Sequence, residues 1–243
     1  MDTNKTLEQL TRLKLQGMAD RYEVMLDMPI HQQPDAHTML AMLAEAEASR
    51  RVVQRTELYL RLARLRYTAH LEQVHCKPGR GITSGQLIQL GDCSFIDKAE
   101  NVLINGATGC GKSYLACALG RQACVRGYKT VYYAMNRFIE QLTLSRLDGT
   151  YIKWINQIAK TPLLIIDDFG LQPLTHDMKI TLLQILEDRY AKGSTIISAQ
   201  LPVAKWYEYI NEPTLADAIC DRLTADAHRI NLQGDSMRKL KNH

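Results

Sequence analysis

Eight consecutive residues, Gly106-Ala107-Thr108-Gly109-Cys110-Gly111-Lys112-Ser113, match the spacing G-x-x-x-x-G-K-[ST] at every fixed position. Each fixed position has a chemical reason. The glycines let the backbone curl until successive N–H groups point at phosphate oxygens. A helix starting at the loop adds the partial positive charge of its N-terminus. Lys112 can then reach β- and γ-phosphates, and the Ser113 hydroxyl can ligate Mg²⁺. Farther along, Leu163-Leu164-Ile165-Ile166-Asp167-Asp168 is an apolar run ending in two carboxylates. An acidic group at the tip of a buried strand holds Mg²⁺ through water, which suits Asp167. Its neighbour Asp168 is then placed to orient or deprotonate an attacking water. A small-molecule kinase would use the same loop, but with an acceptor pocket beside it.

Such residues need a scaffold, and the pattern after residue 85 supplies one. Asn101–Ile104, Thr130–Tyr133, Leu163–Ile166 and Thr195–Ser198 are short, β-branched or apolar runs expected as strands. Helical periods lie between them at Lys112–Arg126, Asn136–Ser145 and Met178–Ala191. Buried strands alternating with helices imply an α/β fold with a parallel sheet covered on both faces. The loop falls between the first strand and the first of these helices, as its chemistry requires.

Residues 6–75 read as helix almost throughout. Thr6 with Gln9 fits a capping box, and Gly17 is an expected interruption. Pro29 and Pro34 bracket a loop, after which Asp35 can cap a second stretch ending near Lys77-Pro78-Gly79. The Gly/Pro-rich segment from Pro78 to Gly85 is the expected linker. It sets an expected boundary between a helical N-terminal domain, 1–78, and a phosphate-binding domain, 79–243.

The whole chain, 243 residues with 46% hydrophobic and 23% charged side chains, has the composition of an ordinary globular protein. It lacks the run of about 20 apolar residues that spans a bilayer. With no apolar stretch behind a basic start, the expected location is cytoplasmic. The six cysteines contain no C-x-x-C pair and no zinc-ligand spacing, so they read as small residues in a reducing compartment. Cys110, Cys117 and Cys124 recur every seven residues, which puts Cys117 and Cys124 on one buried helix face.

The net charge of +4 is unevenly spread. Residues 1–49 carry four basic and eight acidic side chains, whereas residues 50–80 carry eight basic and two acidic. Six of those basic residues are Arg50, Arg51, Arg55, Arg61, Arg64 and Arg66. Rigid guanidinium forks suit phosphate oxygens, so the block is a candidate nucleic-acid footprint. The same arginines flank an apolar stripe, Leu58, Leu62 and Leu65, whose edges their stems would cover. Both readings are open at this level.

Residues 101–231 resemble the AAA+ branch of P-loop ATPases. Asn101–Ala118, the string Leu-Leu-Ile-Ile-Asp-Asp-Phe-Gly at 163–170 and Ser194–Pro202 look most like the IstB transposition helpers. Those proteins are relatives of the DnaC and DnaI helicase loaders, and the helical N-terminal segment is similar too. The resemblance implies a three-layer core that binds ATP and Mg²⁺, with Gly106–Ser113 as Walker A and Asp167 with Asp168 as Walker B. It makes Gln200 the sensor-1 residue and Arg222 an arginine finger acting on a neighbouring subunit's ATP. It further implies a homo-oligomer assembling on double-stranded DNA and recruiting a transposase, or a replicative helicase if the chain is a loader. Two departures stand out. Asp168 occupies a position where many relatives have glutamate, so hydrolysis should be slow. After residue 231 too little chain remains for a helical lid, leaving Arg238 as the stand-in for its sensor-2 arginine. The wall of the adenine site is expected just before Asn101.

Overall fold

The computed structural model describes residues 3–234 and 236–237. The chain forms two compact units, Met1–Leu58 and Tyr59–His243.

The first unit is helical: α1 (Thr3–Arg12), α2 (Gln16–Leu26) and most of α3 (Ala36–Ala63). The interruption between α1 and α2 lies at residues 13–15, where Lys14 takes a left-handed φ of 60°. Gly17 instead sits inside α2 for a packing reason, since a Cβ there would lie 2.6 Å from the Ala46 carbonyl oxygen of α3. At the same contact the backbone N–H groups of Gly17 and Met18, orphan donors of a helix start, donate to Glu47 Oε2 at 2.8 and 3.4 Å. Asp35 caps α3 as its residue type implies, its Oδ1 accepting from the His37 and Thr38 amides. Thr6 is not a cap, because α1 already begins at Thr3.

Helix α3 stops at Ala63, well short of Pro78, because Arg64 turns the chain with a φ of 52°. Leu65, Leu71, Val74 and Cys76 then pack against the core of the second unit, the chain being irregular but for a 3₁₀ turn at Leu71–Gln73. That packing is why the compact units divide at Leu58 and not in the Pro78–Gly85 segment. It also dissolves the expected stripe: Leu65 packs inward, whereas Leu58 and Leu62 remain 41% and 45% exposed.

The second unit is built on a five-stranded, all-parallel sheet of order β2-β3-β4-β1-β5. After α4 (Ser84–Gly91) and α5 (Ser94–Asp97) come β1 (Asn101–Gly106), α6 (Lys112–Val125), β2 (Thr130–Ala134), α7 (Met135–Leu147) and α8 (Tyr151–Ala159). Then follow β3 (Leu163–Phe169), α9 (His176–Arg189), β4 (Ser194–Ala199), α10 (Trp206–Ile210), α11 (Pro213–Thr224) and β5 (Ala227–Leu232). Apolar clusters lie on both faces, one centred on α6 and the other on α7, α9 and α11. Cys117 and Cys124 are buried on α6, and burial pushes the Cys117 thiol up to about 11. Strand β5 is the element that hydrophobic runs miss. It is an edge strand with His228 and Arg229 on it, half-solvated, and it pairs with β1 from Asn101↔Ala227 to Gly106↔Leu232. No helix among the described residues is long and apolar enough to cross a membrane.

Arg189, 1% exposed at the end of α9, ties the far side of this sheet together. It donates to the carbonyls of Ile158 and Thr161 at 2.8 and 2.5 Å and also to that of Ser194, joining the ends of α8, β3 and β4. Burial lowers its pKa to about 10. Arg189→Met would leave several buried carbonyls without donors at about 1–3 kcal/mol each, so a loss of at least about 3 kcal/mol is expected. The urea midpoint of the sheet unit measures it.

Candidate functional site

In a parallel sheet, ligands meet the carboxyl ends of the strands where the order of connection reverses. Here that crevice lies above β1, β4 and β3, and the candidate residues converge on it. The loop leaves β1 at Gly106 and enters α6 at Lys112. Gly109 has a φ of 85°, and a Cβ on it would lie 2.3 Å from the Ser236 hydroxyl oxygen. Gly111 takes a φ of 98° and turns the chain into α6. Lys112 is 6% exposed and lies across the loop, its Nζ donating to the Ala107 carbonyl at 2.9 Å. Cys110 is buried beneath the loop, not in the crevice.

Asp167 is fully buried at the tip of β3, where a carboxylate requires compensation. Ser113 Oγ donates to its Oδ1 at 3.0 Å and Tyr132 Oη to its Oδ2 at 2.7 Å. Burial, with the charge of Asp167 behind it, raises the pKa of the Tyr132 phenol. Strand pairing places that tyrosine, because β2 runs parallel to β3 with Tyr132 opposite Ile165 and Ala134 opposite Asp167.

Asp168 departs from the strand. The β3–β4 register advances from Ile166↔Ile197 to Phe169↔Ala199, three steps against two, which marks a bulge at the two aspartates. Bulges re-aim side chains beside functional sites. Asp168 accordingly has a left-handed φ of 61°, a conformation that aspartate tolerates better than most residues. Its Oδ2 accepts from Arg66 Nη1 at 3.0 Å, and the same nitrogen lies 3.8 Å from Asp167 Oδ2. Arg66 therefore stands on the paired carboxylates and faces the crevice.

A cavity of about 700 Å³ opens over these groups, with Thr108, Lys112, Ser113, Asp168, Gln200 and Arg66 in its lining. Gln200 follows β4, the strand between β1 and β3, so the topology puts its amide between the loop and the carboxylates. Val74, His75, Ile82, Leu232 and Met237 form the less polar wall. These come from residues 74–82, the end of β5 and Met237, because the chain beyond Ala63 folds back over the loop; the residues just before Asn101 do not line this cavity. Arg80 fastens the wall. Its Nη2 donates to the Cys110 carbonyl at 2.9 Å, while its own carbonyl accepts from the Gln233 amide at 2.9 Å. The Met237 amide closes the arrangement by donating to the Gly109 carbonyl at 2.9 Å.

These residues fit a magnesium nucleotide. Curled glycines and a helix start face the cavity, a hydroxyl lies within hydrogen-bond distance of a carboxylate, and Arg80 Nε is buried without a hydrogen-bond partner among the described residues. Mg²⁺ is commonly held by one or two carboxylates together with substrate phosphates, so the absence of a three-ligand His/Cys/Asp/Glu cluster among the described residues is compatible with it.

Other candidates lie elsewhere. Arg222, at the end of α11, donates to Glu187 at 2.9 Å and Asp221 at 2.7 Å, and its guanidinium lies 4.5 Å from the Tyr190 ring centre. The Arg222 carbonyl accepts from Asn101 Nδ2, which fixes it at the start of β1, the end opposite the loop. At about 3.3 Å per residue the strand separates its two ends by roughly 16 Å, too far for Arg222 to serve its own chain's loop. Arg50 pairs with Asp20 and Arg51 with Glu47. Arg55, Arg61 and Arg64 are exposed and form no ion pair among the described residues. Arg238 lies outside the described residues. Tyr132 and Arg80 carry no sequence signal of their own, since strand pairing and a fold-back bring them to the site.

The sheet order, the loop and the carboxylates define a P-loop nucleotide-binding protein of the AAA+ type. Residues 8–243 match the model of the IstB-like ATP binding protein family, and the chain belongs to that family. It is 40% identical to the insertion sequence ATP-binding protein y4pL of Sinorhizobium fredii, with 98% of each chain covered. It is 36% identical to the IS1162 ATP-binding protein of Pseudomonas fluorescens, over 83% of this chain and 88% of that one. The crystal structure of the DnaC helicase loader shares the fold with a TM-score of 0.58 at 18% identity, over 69% of this chain and 98% of that one.

Tyr132→Phe removes one of two neutral donors from the buried Asp167. A loss of about 1–3 kcal/mol in stability is expected. The Mg²⁺ concentration for half-maximal nucleotide binding should rise by about tenfold or more, because the carboxylate is less firmly oriented. An unchanged Mg²⁺ dependence would show that Tyr132 does not position Asp167.

Proposed function

We propose that this protein is an ATPase that assembles on double-stranded DNA when ATP is bound and recruits or activates the transposase of an insertion sequence. One observation carries the reading: the loop and carboxylates share one crevice, while Arg222 stands at the far end of the strand that feeds it. A site of this kind is completed by the next subunit, so nucleotide binding and assembly are coupled.

In this account the loop amides and Lys112, released from Ala107, bind the β- and γ-phosphates. Ser113 and Asp167 would hold Mg²⁺, which would supply charge neutralisation at those phosphates. Gln200 orients the attacking water by hydrogen bonding. Asp168 takes a proton from that water as its oxygen bonds to the γ-phosphorus, and the bond to the bridging oxygen breaks to leave ADP. Arg222 of the neighbouring subunit, drawn off Glu187, stabilises the charge of the transition state. A carboxylate one methylene shorter than glutamate holds water less closely, which favours a slow hydrolytic step and a long-lived assembly.

The DNA contacts in this reading come from Arg55 on the helical unit and from Arg61 and Arg64 on the sheet unit, free of ion pairs among the described residues, with Arg50 and Arg51 exchanging their carboxylates for phosphates. Contacts of this type follow the backbone without reading bases.

Two measurements test the proposal. Sizing with ATP and duplex DNA, separately and together, should show assembly that requires ATP and is reinforced by DNA. Lys112→Ala and Arg222→Ala should each lack turnover alone, yet a mixture should regain part of it, since one supplies the finger and the other the loop. No recovery on mixing places Arg222 outside the site. An ATPase rate indifferent to DNA, with no nucleotide-dependent retention of DNA, would overturn the whole reading, and co-purification with a replicative helicase in place of a transposase would reassign the partner. Each of Arg55→Gln, Arg61→Gln and Arg64→Gln should lower the slope of log affinity against log salt by about 1.

A further inference from the structure

The arginine block does not act as one surface. Arg66 is held in the nucleotide crevice, with Nη1 at 3.0 Å from Asp168 Oδ2 and 3.8 Å from Asp167 Oδ2, beside Lys112, Ser113 and Gln200. We propose that Arg66 reads the γ-phosphate in its own chain, leaving Asp168 for that phosphate when ATP is bound and returning to it when only ADP remains. The proposal rests on the nucleotide-binding part of the function above.

Three physical points carry it. First, the guanidinium is where a terminal phosphate must arrive. Ser113 and Asp167 are the groups that would hold a metal beside the terminal phosphates. An arginine on the adjoining Asp168 therefore borders the γ-position and is remote from the α-phosphate end of the loop. Second, the segment bearing Arg66 is fastened. Ala69 is fully buried, Leu65 and Leu71 pack on the core, and Gln73 accepts from the hydroxyl of Tyr114 on α6. Tyr67 and Tyr114 bring their rings to 6.4 Å, and the Arg66 guanidinium lies 5.4 Å from the Tyr67 ring centre. Ordering costs are thus largely met before the nucleotide enters. Third, the same charge serves both states. Without a γ-phosphate, Arg66 offsets the two neighbouring carboxylates and occupies Asp168. A phosphate carries more charge and more acceptor oxygens, and a planar fork engages it in bidentate fashion. Transfer of Arg66 to the phosphate uncovers Asp168 at the moment a water needs it. Arg66 keeps its proton throughout: partial burial acts against the charge, and Tyr67, Tyr132 and Asp168 outweigh it to raise the pKa above the ordinary guanidinium value.

The test is nucleotide binding by the full chain, with a non-hydrolysable ATP analogue and with ADP, each in Mg²⁺, followed by calorimetry. In the wild-type protein the ATP analogue should bind more tightly than ADP. Arg66→Ala should weaken the analogue by about 10- to 100-fold, as expected for a lost charge-assisted hydrogen bond, and change ADP by less than about threefold. Arg66→Lys keeps the charge without the fork and should recover part of the discrimination. Equal weakening of both nucleotides, or an analogue bound as tightly as before or more tightly, overturns the γ-phosphate assignment. Failure of the wild-type chain to bind either nucleotide overturns the underlying function instead, so the two failures are distinguishable.

Discussion

The site is organised around one electrostatic debt, the fully buried carboxylate of Asp167 at the tip of a central strand. A charge removed from water there persists only if neighbouring groups replace the lost solvation. The fold meets that requirement from three directions. Helix α6 brings the Ser113 hydroxyl, strand β2 brings the Tyr132 phenol, and the chain leaving α3 brings the Arg66 guanidinium. The parallel pairing of β2 with β3 and the bulge between β3 and β4 are the backbone devices that make those approaches possible. The elements around the crevice are thus held by the same contacts that would position a metal and a nucleotide.

The positive charge of residues 50–80 divides between two tasks. At the helical unit Arg50 and Arg51 are tied to Asp20 and Glu47, and Glu47 also closes the start of α2. At the sheet unit Arg66 balances the aspartates, and Arg80 braces the loop against the segment that follows β5. What remains, Arg55, Arg61, Arg64 and Lys77, is the part of that charge not offset by an ion pair among the described residues. A run of arginines in sequence is therefore a poor measure of the surface charge available to a polyanion.

The legibility of the sequence followed the range of the forces. The loop at Gly106–Ser113 was plain, since its function depends on contiguous backbone and a helix start. Strands β1 to β4 were plain for a similar reason, being short runs rich in apolar or β-branched residues. Strand β5 was not, because its outer face meets solvent and His228 and Arg229 break the apolar run. The end of α3 was also obscured, since Leu62 and Leu65 continue a helical spacing through a left-handed turn at Arg64 that no residue type announces. Tyr132 and Arg66 reach the carboxylates through pairing and fold-back, so their part in the site exists only in three dimensions. Family membership shows the ATP-binding character of the chain, and the geometry adds which of its own side chains surround the nucleotide crevice.

Four of the six thiols are buried, and the two half-exposed ones fall in suggestive places. Cys76 adjoins His75 on the wall of the crevice, and Cys220 precedes Arg222 by two positions on α11, at the other end of β1. If one subunit's crevice meets the next subunit's α11, assembly brings unlike cysteines of neighbouring chains towards each other while those within a chain stay apart. The native sequence thus carries a built-in pair of attachment points for spectroscopic reporters. In the proposed assembly, distances between them would record the geometry of the subunit junction without any residue being engineered in.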